Sequence, residues 1–496
     1  MSITRRDADR SPAPSDTAVP DQRRRLLILA ICCMSLFIVG LDNTIVNVAL
    51  PSIQRDLHAS VSGLQWIIDA YIVVIAALLM LSGSTADRIG RRRTFQTGLV
   101  LFTAGSLLCS LSPSLGWLVA ARMVQAVGGS MLNPVAMSII TNTFTDPRER
   151  ARAIGVWGGV VGISMALGPL VGGTLAASAG WQAIFWINIP VGLIAFALCA
   201  RFVPESRAPR PRPVDPVGQL LIIVLLAGLT YGIIEAPSAG WGSAQTVGCF
   251  AAAAIALACL IPYELRRAEP LINPRFFRSA PFAGATVIAV CGFASLGGFL
   301  FLNTLYLQDV LGHSAFHAGL LTLPMAGMTL VCAPLSGRIV GAAGPRIPLV
   351  VAGGTMVASA LILTGLTAHT PTWRLMAAYV LFGLGFGMVN APITNTAVSG
   401  MPRTQAGVAA AVASTSRQIG QSLGVAVTGS LVTSAVHGPL RTGFPQASHL
   451  GWWVGAGCGS VILVLGILTT GRWARQTAAR TAERLDHGST RTADTS

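Results

Sequence analysis

The chain alternates between long apolar stretches and short polar connections. Counting apolar windows of roughly 20 residues, the length that crosses a bilayer as a helix, predicts fourteen transmembrane helices. Their approximate centres lie at residues 38, 73, 103, 127, 163, 192, 227, 254, 295, 329, 357, 385, 419 and 462. The first stretch begins at Leu26 as LLILAICCMSLFIVG. It is longer than the apolar part of a signal peptide and lacks a small-residue cleavage site, so we expect it to remain as a helix.

The distribution of basic residues favours an even number of helices. All of the 34 basic residues are Arg, and two of them, Arg122 and Arg417, lie inside predicted helices. The odd-to-even connections carry only Arg55, Arg374 and Arg441, whereas the tails and the even-to-odd connections carry the other 29. Because cytoplasmic connections of membrane proteins are enriched in basic residues, we expect both termini in the cytoplasm of a bacterial cell, with the chain in its plasma membrane.

Composition agrees with a membrane protein. Apolar residues make up 52% of the chain, charged residues only 11%, and the mean hydropathy is +0.64. The net charge of +15 is explained by topology and by an anionic lipid surface, so no nucleic acid is expected as a partner. The nine Cys lie in or beside apolar stretches without a C-x-x-C spacing, which predicts neither disulfides nor a metal site.

A polar, Pro-rich stretch divides the predicted helices into six and eight. We interpret residues 204–216 as a cytoplasmic linker, after an N-terminal six-helix bundle over 26–203. The polar tails over 1–25 and 473–496 are predicted to be disordered. GSTADRIGRRR, after the second helix, is weakly repeated as SGRIVGAAGPR after the tenth. Internal repeats of this kind are typical of secondary transporters, whose binding site lies between the halves.

Three ionisable residues lie at a similar depth in the predicted membrane. Asp42 is about 22 Å along the first helix, and Asp69 and Arg122 are each about 10 Å from the outer ends of theirs, at 1.5 Å per residue. Lipid does not accommodate such side chains, so we expect all three to point into the bundle. An ion pair between Arg122 and either acid leaves the other acid free to bind protons. The alternative is a static structural triad.

Other polar residues in these helices are candidates for a substrate pathway. Asn43 and Asn47 follow Asp42, Gln125 follows Arg122 by three residues, and Arg417 with Gln418 lies in the thirteenth helix, in its cytoplasmic half.

The fifth helix contains GVVGISMALGPLVGG. A bent and closely packed helix at a moving interface is one interpretation, and packing alone is the other. The residues concerned are Gly162, Gly168, Pro169, Gly172 and Gly173.

Five motifs in order resemble the fourteen-helix drug:proton antiporter branch of the major facilitator superfamily, over nearly the whole chain from Arg25 to Arg472. LDNTIVNVALP resembles the first-helix motif, RMVQAVGG the fourth-helix motif, LGPLVGG the fifth-helix exporter motif and GWQAIFWINIPVG the sixth-helix signature. GSTADRIGRRR resembles the cytoplasmic loop motif, with the matching residues Gly83, Asp87, Arg88, Gly90 and Arg91. Ala126 and Gln182 depart from the usual Gly and Arg of the fourth- and sixth-helix motifs.

The resemblance implies an all-α major facilitator fold. Two six-helix bundles, the second over 279–472, would surround a central pathway, with two additional helices over 217–265 between them. It also implies that the loop motif is a cytoplasmic gate containing Asp87 and Arg91, although Arg91 alone would also suit a topology anchor. The expected activity is export of amphipathic compounds by a monomer, driven by the proton gradient without a cofactor.

We therefore predict an antiporter that works by alternating access. Asp42 or Asp69 takes a proton from outside, and a cationic or amphipathic substrate competes for the same charged region. An enzyme is not expected, because HExxH and P-loop motifs are absent and the chain has no Lys for a Walker site. Alternatives are export of an endogenous antibiotic, amino acid or siderophore, a proton-coupled importer, or a membrane sensor.

Overall fold

A computed structural model of the protein describes residues 21–208, 214–267, 270–399, 401, 405–436 and 440–493, and these residues form helices and connections without β-strands. A short 3₁₀ helix, Pro274–Arg278, and a π-helical turn, Tyr306–Val310, lie on either side of α10. The α-helices are α1 (Gln22–Leu57), α2 (Val61–Ile89), α3 (Arg91–Ser110), α4 (Leu115–Thr143), α5 (Pro147–Ala179), α6 (Ala183–Trp186), α7 (Asn188–Phe202), α8 (Pro216–Ala239), α9 (Ala244–Arg266), α10 (Ala280–Leu305), α11 (Ala315–Ala343), α12 (Arg346–Leu363), α13 (Thr372–Val398), α14 (Ala406–Ala435), α15 (Leu440–Leu468) and α16 (Arg472–Ala493).

Within the described ranges, twelve helical segments are long and apolar enough to cross a membrane. The short α6 and α7 count together as one of these, over Ala183–Phe202. Helices α3 and α14 are not among the twelve. Helix α3 begins with three consecutive Arg residues, and helix α14 contains Arg417, Gln418 and Gln421. The predicted all-α membrane fold is therefore confirmed, whereas the predicted count of fourteen spans is not.

The helices pack in two groups that correspond in order. In the first, α3 packs on α4 and α1 on α5, and in the second, α12 packs on α13 and α10 on α14. Small residues allow the close approach, because a Cβ atom at Gly105 of α3 would lie 2.5 Å from the backbone of Gln125 on α4. The groups meet where α2 packs on α14 and α5 on α11. The exact domain boundaries stay a prediction.

The two ends of the bundle differ in their connections. One end of the bundle contains the start of α1, the α2–α3 and α4–α5 connections and α16, and we call this end the tail side. We call the other end the opposite side. Hydrogen bonds between the two groups lie on the opposite side. The Gln65 amide donates to the carbonyl oxygens of Val425 and Ala426 at 3.2 and 2.8 Å. Gln308 donates to the carbonyl oxygen of Val48 at 2.8 Å.

Helices α8 and α9 pack as a pair beside this contact, since α8 lies against both α2 and α14. The Gln219 amide donates to the carbonyl oxygen of Ala77 at 2.6 Å. Near the opposite side, the indole N–H of Trp66 on α2 donates to the Glu235 carboxylate of α8 at 2.7 Å. The pair is thereby attached to the helices that join the two groups.

The C-terminal segment differs from its prediction. The disordered tail expected over 473–496 contains helix α16 instead, up to Ala493, and only 494–496 lie outside the described residues. Alanine-rich sequence favours a helix, and the spacing of the buried residues Ala474, Ala478 and Thr481 gives it one packed face. The predicted N-terminal tail, 1–25, lies outside the described residues up to position 20, and α1 already begins at Gln22.

Candidate functional site

Asp42 on α1 and Arg122 on α4 form an ion pair inside the first group of helices. Their side chains are 0% and 2% exposed, and Nη1 of Arg122 donates to Oδ2 of Asp42. Nε of the same guanidinium donates to the carbonyl oxygen of Ile67 at 3.2 Å. Its carbon atom lies 4.0 Å from the centre of the Tyr71 ring. Helices α1 and α2 contact this cation, and the centre of the Phe185 ring of α6 lies 5.9 Å from its carbon atom, so its position is fixed.

Two amides complete the environment of the Asp42 carboxylate. The Gln125 amide donates to Oδ1 at 2.9 Å and the Asn188 amide donates to the same oxygen at 3.1 Å. Both amides also donate to the hydroxyl of Ser106, at 2.8 and 3.1 Å. An ionised carboxylate is stable in a protein interior when its charge is paired and its oxygens accept hydrogen bonds. Asp42 meets both conditions.

Asp69 lies apart from this pair. Its carboxyl group is fully buried, and neither oxygen accepts a hydrogen bond from the part of the chain that the structure describes. Ser422 of α14 is the polar neighbour, but no hydrogen bond between the two meets normal distance and angle limits. Tyr71, which contacts Arg122, is two positions away, or about 200° around the helix, so Asp69 points elsewhere. The structure thus joins two of the three predicted ionisable residues and leaves the third at the α2–α14 contact.

The glycines of α5 lie at two helix interfaces. A Cβ atom at Gly168 would collide with Thr44 of α1. A Cβ atom at Gly172 would lie 2.7 Å from a side-chain atom of Ile45, which is also in α1. On the other side, a Cβ atom at Gly162 would lie 3.0 Å from α11, and one at Gly173 only 2.5 Å from a backbone carbonyl of α11. The carbonyl oxygen of Pro169 also faces α11, since a Cβ atom at Gly319 would lie 2.4 Å from it. Helix α5 therefore depends on these small residues to pack against both groups.

The predicted gate residues surround the α2–α3 connection on the tail side. Arg91, the first residue of α3, donates to Oδ1 of Asp87 in α2 at 3.0 Å. Gly90 has a φ angle of 126°, which disfavours other residues. Arg88 is exposed, and a Cβ atom at Gly83 would meet nothing within 4 Å. The segment is folded and internally paired, and its role as a gate stays a prediction.

The start of the predicted linker packs on this connection. The Glu205 carboxylate accepts hydrogen bonds from the backbone N–H groups of Arg92 and Arg93, at 3.1 and 3.3 Å. The backbone N–H of Arg91 donates to the carbonyl oxygen of Ser206 at 2.9 Å. Glu205 therefore caps the N-terminus of α3 from a distant part of the chain. Residues 209–213 of the linker lie outside the described residues.

The chain matches the family model described as Major Facilitator Superfamily over residues 32–425. It belongs to that superfamily. A tetracenomycin C resistance and export protein of Streptomyces glaucescens is 40% identical over 405 residues, covering 81% of this chain and 75% of the relative. Multidrug resistance protein Stp of Mycobacterium tuberculosis is 35% identical over 425 residues, covering 86% and 79%. A methylenomycin A resistance protein of Streptomyces coelicolor is 34% identical over 402 residues, covering 79% and 83%.

A solved structure has the same major facilitator fold. It is an inward-facing, unoccupied bacterial homologue of the human lysosomal transporter Spinster, with a TM-score of 0.63 and 18% identity. The match covers 94% of this chain and 99% of the other. This likeness supports the fold, and the predicted superfamily is confirmed by the family model and the relatives.

The remaining candidate pathway residues of this superfamily member lie outside the Asp42 network. The Asn47 amide donates to the carbonyl oxygen of Asn43 in its own helix at 3.0 Å, and Asn43 is partly exposed. In the second group, Arg417 donates to the Thr394 hydroxyl at 2.5 Å. The carbonyl oxygen of the neighbouring Gln418 side chain has no hydrogen-bond partner among the described residues. Their predicted role in substrate binding stays a prediction.

Sequence reasoning did not identify all residues of the Asp42 network, nor the Glu205 cap of α3. Asn188 entered only as part of a motif, although a buried Asn in an apolar helix is itself a signal of a polar partner. Ser106 and Glu205 had no distinguishing pattern, because Ser is common in membrane helices and Glu205 lies in a polar connection.

Proposed function

We propose that the protein exports amphipathic drugs or antibiotics across the bacterial plasma membrane in exchange for protons, by alternating access. The names of the relatives, which describe resistance and export, support this assignment. As in the sequence prediction, the proton gradient is the energy source, no cofactor takes part, and the transporter is a monomer with both termini in the cytoplasm. Helices α3 and α14 would complete fourteen spans, because each packs lengthwise on a spanning helix, α4 and α10 respectively.

The observation that carries the proton coupling is the buried and unpaired carboxyl group of Asp69 at the contact between the two groups of helices. An isolated charge there would be strongly unfavourable, so the α2–α14 contact favours the neutral, protonated acid. Loss of the proton favours separation of the two helices, because separation lets water reach the carboxylate. Proton binding and closure of the opposite side are thereby coupled.

Asp42 and Arg122 have a different part in this mechanism. Their charges neutralise each other, and the amides of Gln125 and Asn188 hold the carboxylate in place. We propose that this pair positions α1 against α4 while Asp69 exchanges the proton. Substrate entering from the tail side favours deprotonation of Asp69, the opposite side then opens, and substrate leaves. A new proton taken from outside returns the transporter to the closed contact.

Everted membrane vesicles with a pH-sensitive dye test this function. In wild type, addition of an exported compound should release protons from the acidified lumen, and tetracenomycin C is a reasonable first compound because a relative is named for its export. Asp69→Asn should abolish this release at a normal protein level. Asp21→Asn is the matched control, because Asp21 is exposed and its side chain makes no cap hydrogen bond.

Other outcomes distinguish the alternatives. Proton uptake together with the compound would indicate an importer, and a silent wild type across a broad drug panel would indicate a sensor. Proton release that is unchanged in Asp69→Asn would contradict the assignment of the coupling residue.

A further inference from the structure

Arg417 on α14 has no acidic partner in the part of the chain that the structure describes. Five ion pairs involve other Arg residues there, including the Arg122 pair, and none includes Arg417. Its hydrogen-bond acceptor is the neutral hydroxyl of Thr394, and its Nε is buried without a partner. An uncompensated cation inside a membrane protein is unfavourable for folding, and such residues are usually functional.

The position of Arg417 on its helix places it towards the space between the two groups. Two faces of α14 can be identified from its contacts. The face with Gly424 lies against α10, and the face with Ser422 and Val425 lies against α2. At 100° per residue, Arg417 is about 20° from Gly424 and about 80° from Val425 around the helix. It therefore lies between these two faces, two turns nearer the tail side than the Gln65 hydrogen bonds.

The surroundings of the guanidinium suit a planar acidic group. Arg417 is partly exposed and its partner Thr394 on α13 is exposed, so the described helices do not enclose this site. The Phe293 ring of α10 lies 6.0 Å from the guanidinium carbon. The adjacent Gln418 is partly exposed, and its amide offers a further N–H donor. A guanidinium binds a carboxylate through two parallel hydrogen bonds, and an aromatic wall favours a flat cargo.

The acids of the first group are less accessible to a cationic cargo. Asp42 is neutralised by Arg122 and carries two further hydrogen bonds, and Asp69 is enclosed by α2 and α14. We propose that Arg417 binds an acidic group on the exported compound, a carboxylate or an acidic phenol on an aromatic or polycyclic body. This inference rests on the proposed export function and replaces the cationic preference predicted from the sequence.

The charge of the cargo changes the energetics of exchange. One proton entering for one monovalent anion leaving moves two charges through the membrane potential, at about 2.3 kcal/mol per charge for 100 mV. One proton exchanged for a monovalent cation moves none. Export of an acid by this mechanism should therefore respond to the membrane potential, whereas export of a cation should respond to the pH gradient alone.

The experiment compares transport of fusidate and nalidixate, which are carboxylates, with transport of the ethidium cation in everted vesicles. Wild type should transport the acids, and collapse of the potential with valinomycin and K⁺ should slow that transport. Arg417→Gln should reduce it roughly tenfold or more, as expected for a lost charge-assisted pair. Arg417→Lys should retain part of it. Arg480→Gln, a change of an exposed Arg on α16, is the matched control.

The outcomes separate this inference from the proposed function. Export of ethidium but of neither acid by wild type, or acid transport that is unchanged in Arg417→Gln, would overturn the role of Arg417 and leave drug export intact. An equal loss of all transport in Arg417→Gln, with normal protein level and melting temperature, would show a general role and also overturn it. No proton-coupled transport of any compound by wild type would overturn both.

Discussion

The hydroxyl of Tyr379 on α13 donates a hydrogen bond to the side-chain oxygen of Asn303 on α10 at 2.7 Å. Tyr379 and Arg122 each lie seven residues after the first residue of their helices, α13 and α4. Each of these helices is the fourth of its six-helix group when α6 and α7 are counted as one helix. Asn303 and Asp42 lie on the first helix of each group. The second group thus has a neutral hydrogen bond where the first has an ion pair, as expected for a repeat that has diverged chemically.

The buried pair predicts strong non-additivity. Asp42→Asn or Arg122→Gln alone leaves one buried charge without its partner and should destabilise the protein by about 3–5 kcal/mol. The double variant should be less destabilised than the sum of the two, because no unpaired charge remains. Melting temperatures in detergent measure this. Tyr379→Phe, which removes a neutral hydrogen bond, should lower stability by about 1 kcal/mol. Additive effects of Asp42→Asn and Arg122→Gln would contradict the ion pair.

The contact of α5 with α11 predicts that Gly173→Ala opens the opposite side. The added Cβ atom would lie 2.5 Å from a backbone carbonyl of α11, and backbone cannot rotate away as a side chain can. Overpacking of this kind costs about 1–3 kcal/mol. Hydrogen exchange should accelerate at the start of α11. Gly159→Ala in the same helix is the control, since its Cβ atom would meet nothing within 4 Å. Equal exchange in the two variants would refute this interface.

Glu205 predicts a link between the start of the linker and α3. Glu205→Ala removes the acceptor for two backbone N–H groups at the start of the helix. Loss of such a cap costs about 0.5–2 kcal/mol. Hydrogen exchange of Arg92 and Arg93 should increase, while α4 stays protected. Glu483→Ala changes an exposed Glu on α16 and should have no effect there. Unchanged exchange in Glu205→Ala would show that the cap does not form.

The hydrogen bond between Trp66 and Glu235 predicts how α8 is attached to α2. Trp66→Phe keeps an aromatic ring beside Tyr231, whose ring centre lies 5.5 Å away, but removes the indole donor. A hydrogen bond to a charged group contributes about 1.5–3 kcal/mol. Glu235→Gln should have little further effect in the Trp66→Phe background. A double-mutant cycle of melting temperatures measures the coupling, and a coupling energy near zero would rule out this attachment.

The sequence was sufficient for the fold class and the superfamily. Apolar stretches of bilayer length specify membrane helices because hydrocarbon tolerates no unpaired backbone, and the motifs identified the superfamily. An ion pair between Arg122 and one of the two acids, Asp42 or Asp69, followed from their similar depth. The count of fourteen spans stays a prediction, because α3 and α14 are more polar than a span recognised by composition. The helix α16 was not predicted because its polar composition resembles that of a disordered tail.

Only the tertiary structure decided which acid is paired. Depth along a helix says nothing of the direction in which a side chain points, and a shift of two residues rotates it by about 200°. For that reason Asp69 faces α14 rather than Arg122, and Arg417 lies between the α10 and α2 faces of its helix. The sequence by itself determined which charges enter the membrane. The packing of helices distant in sequence determined which of them are neutralised and which have no ionic partner among the described residues.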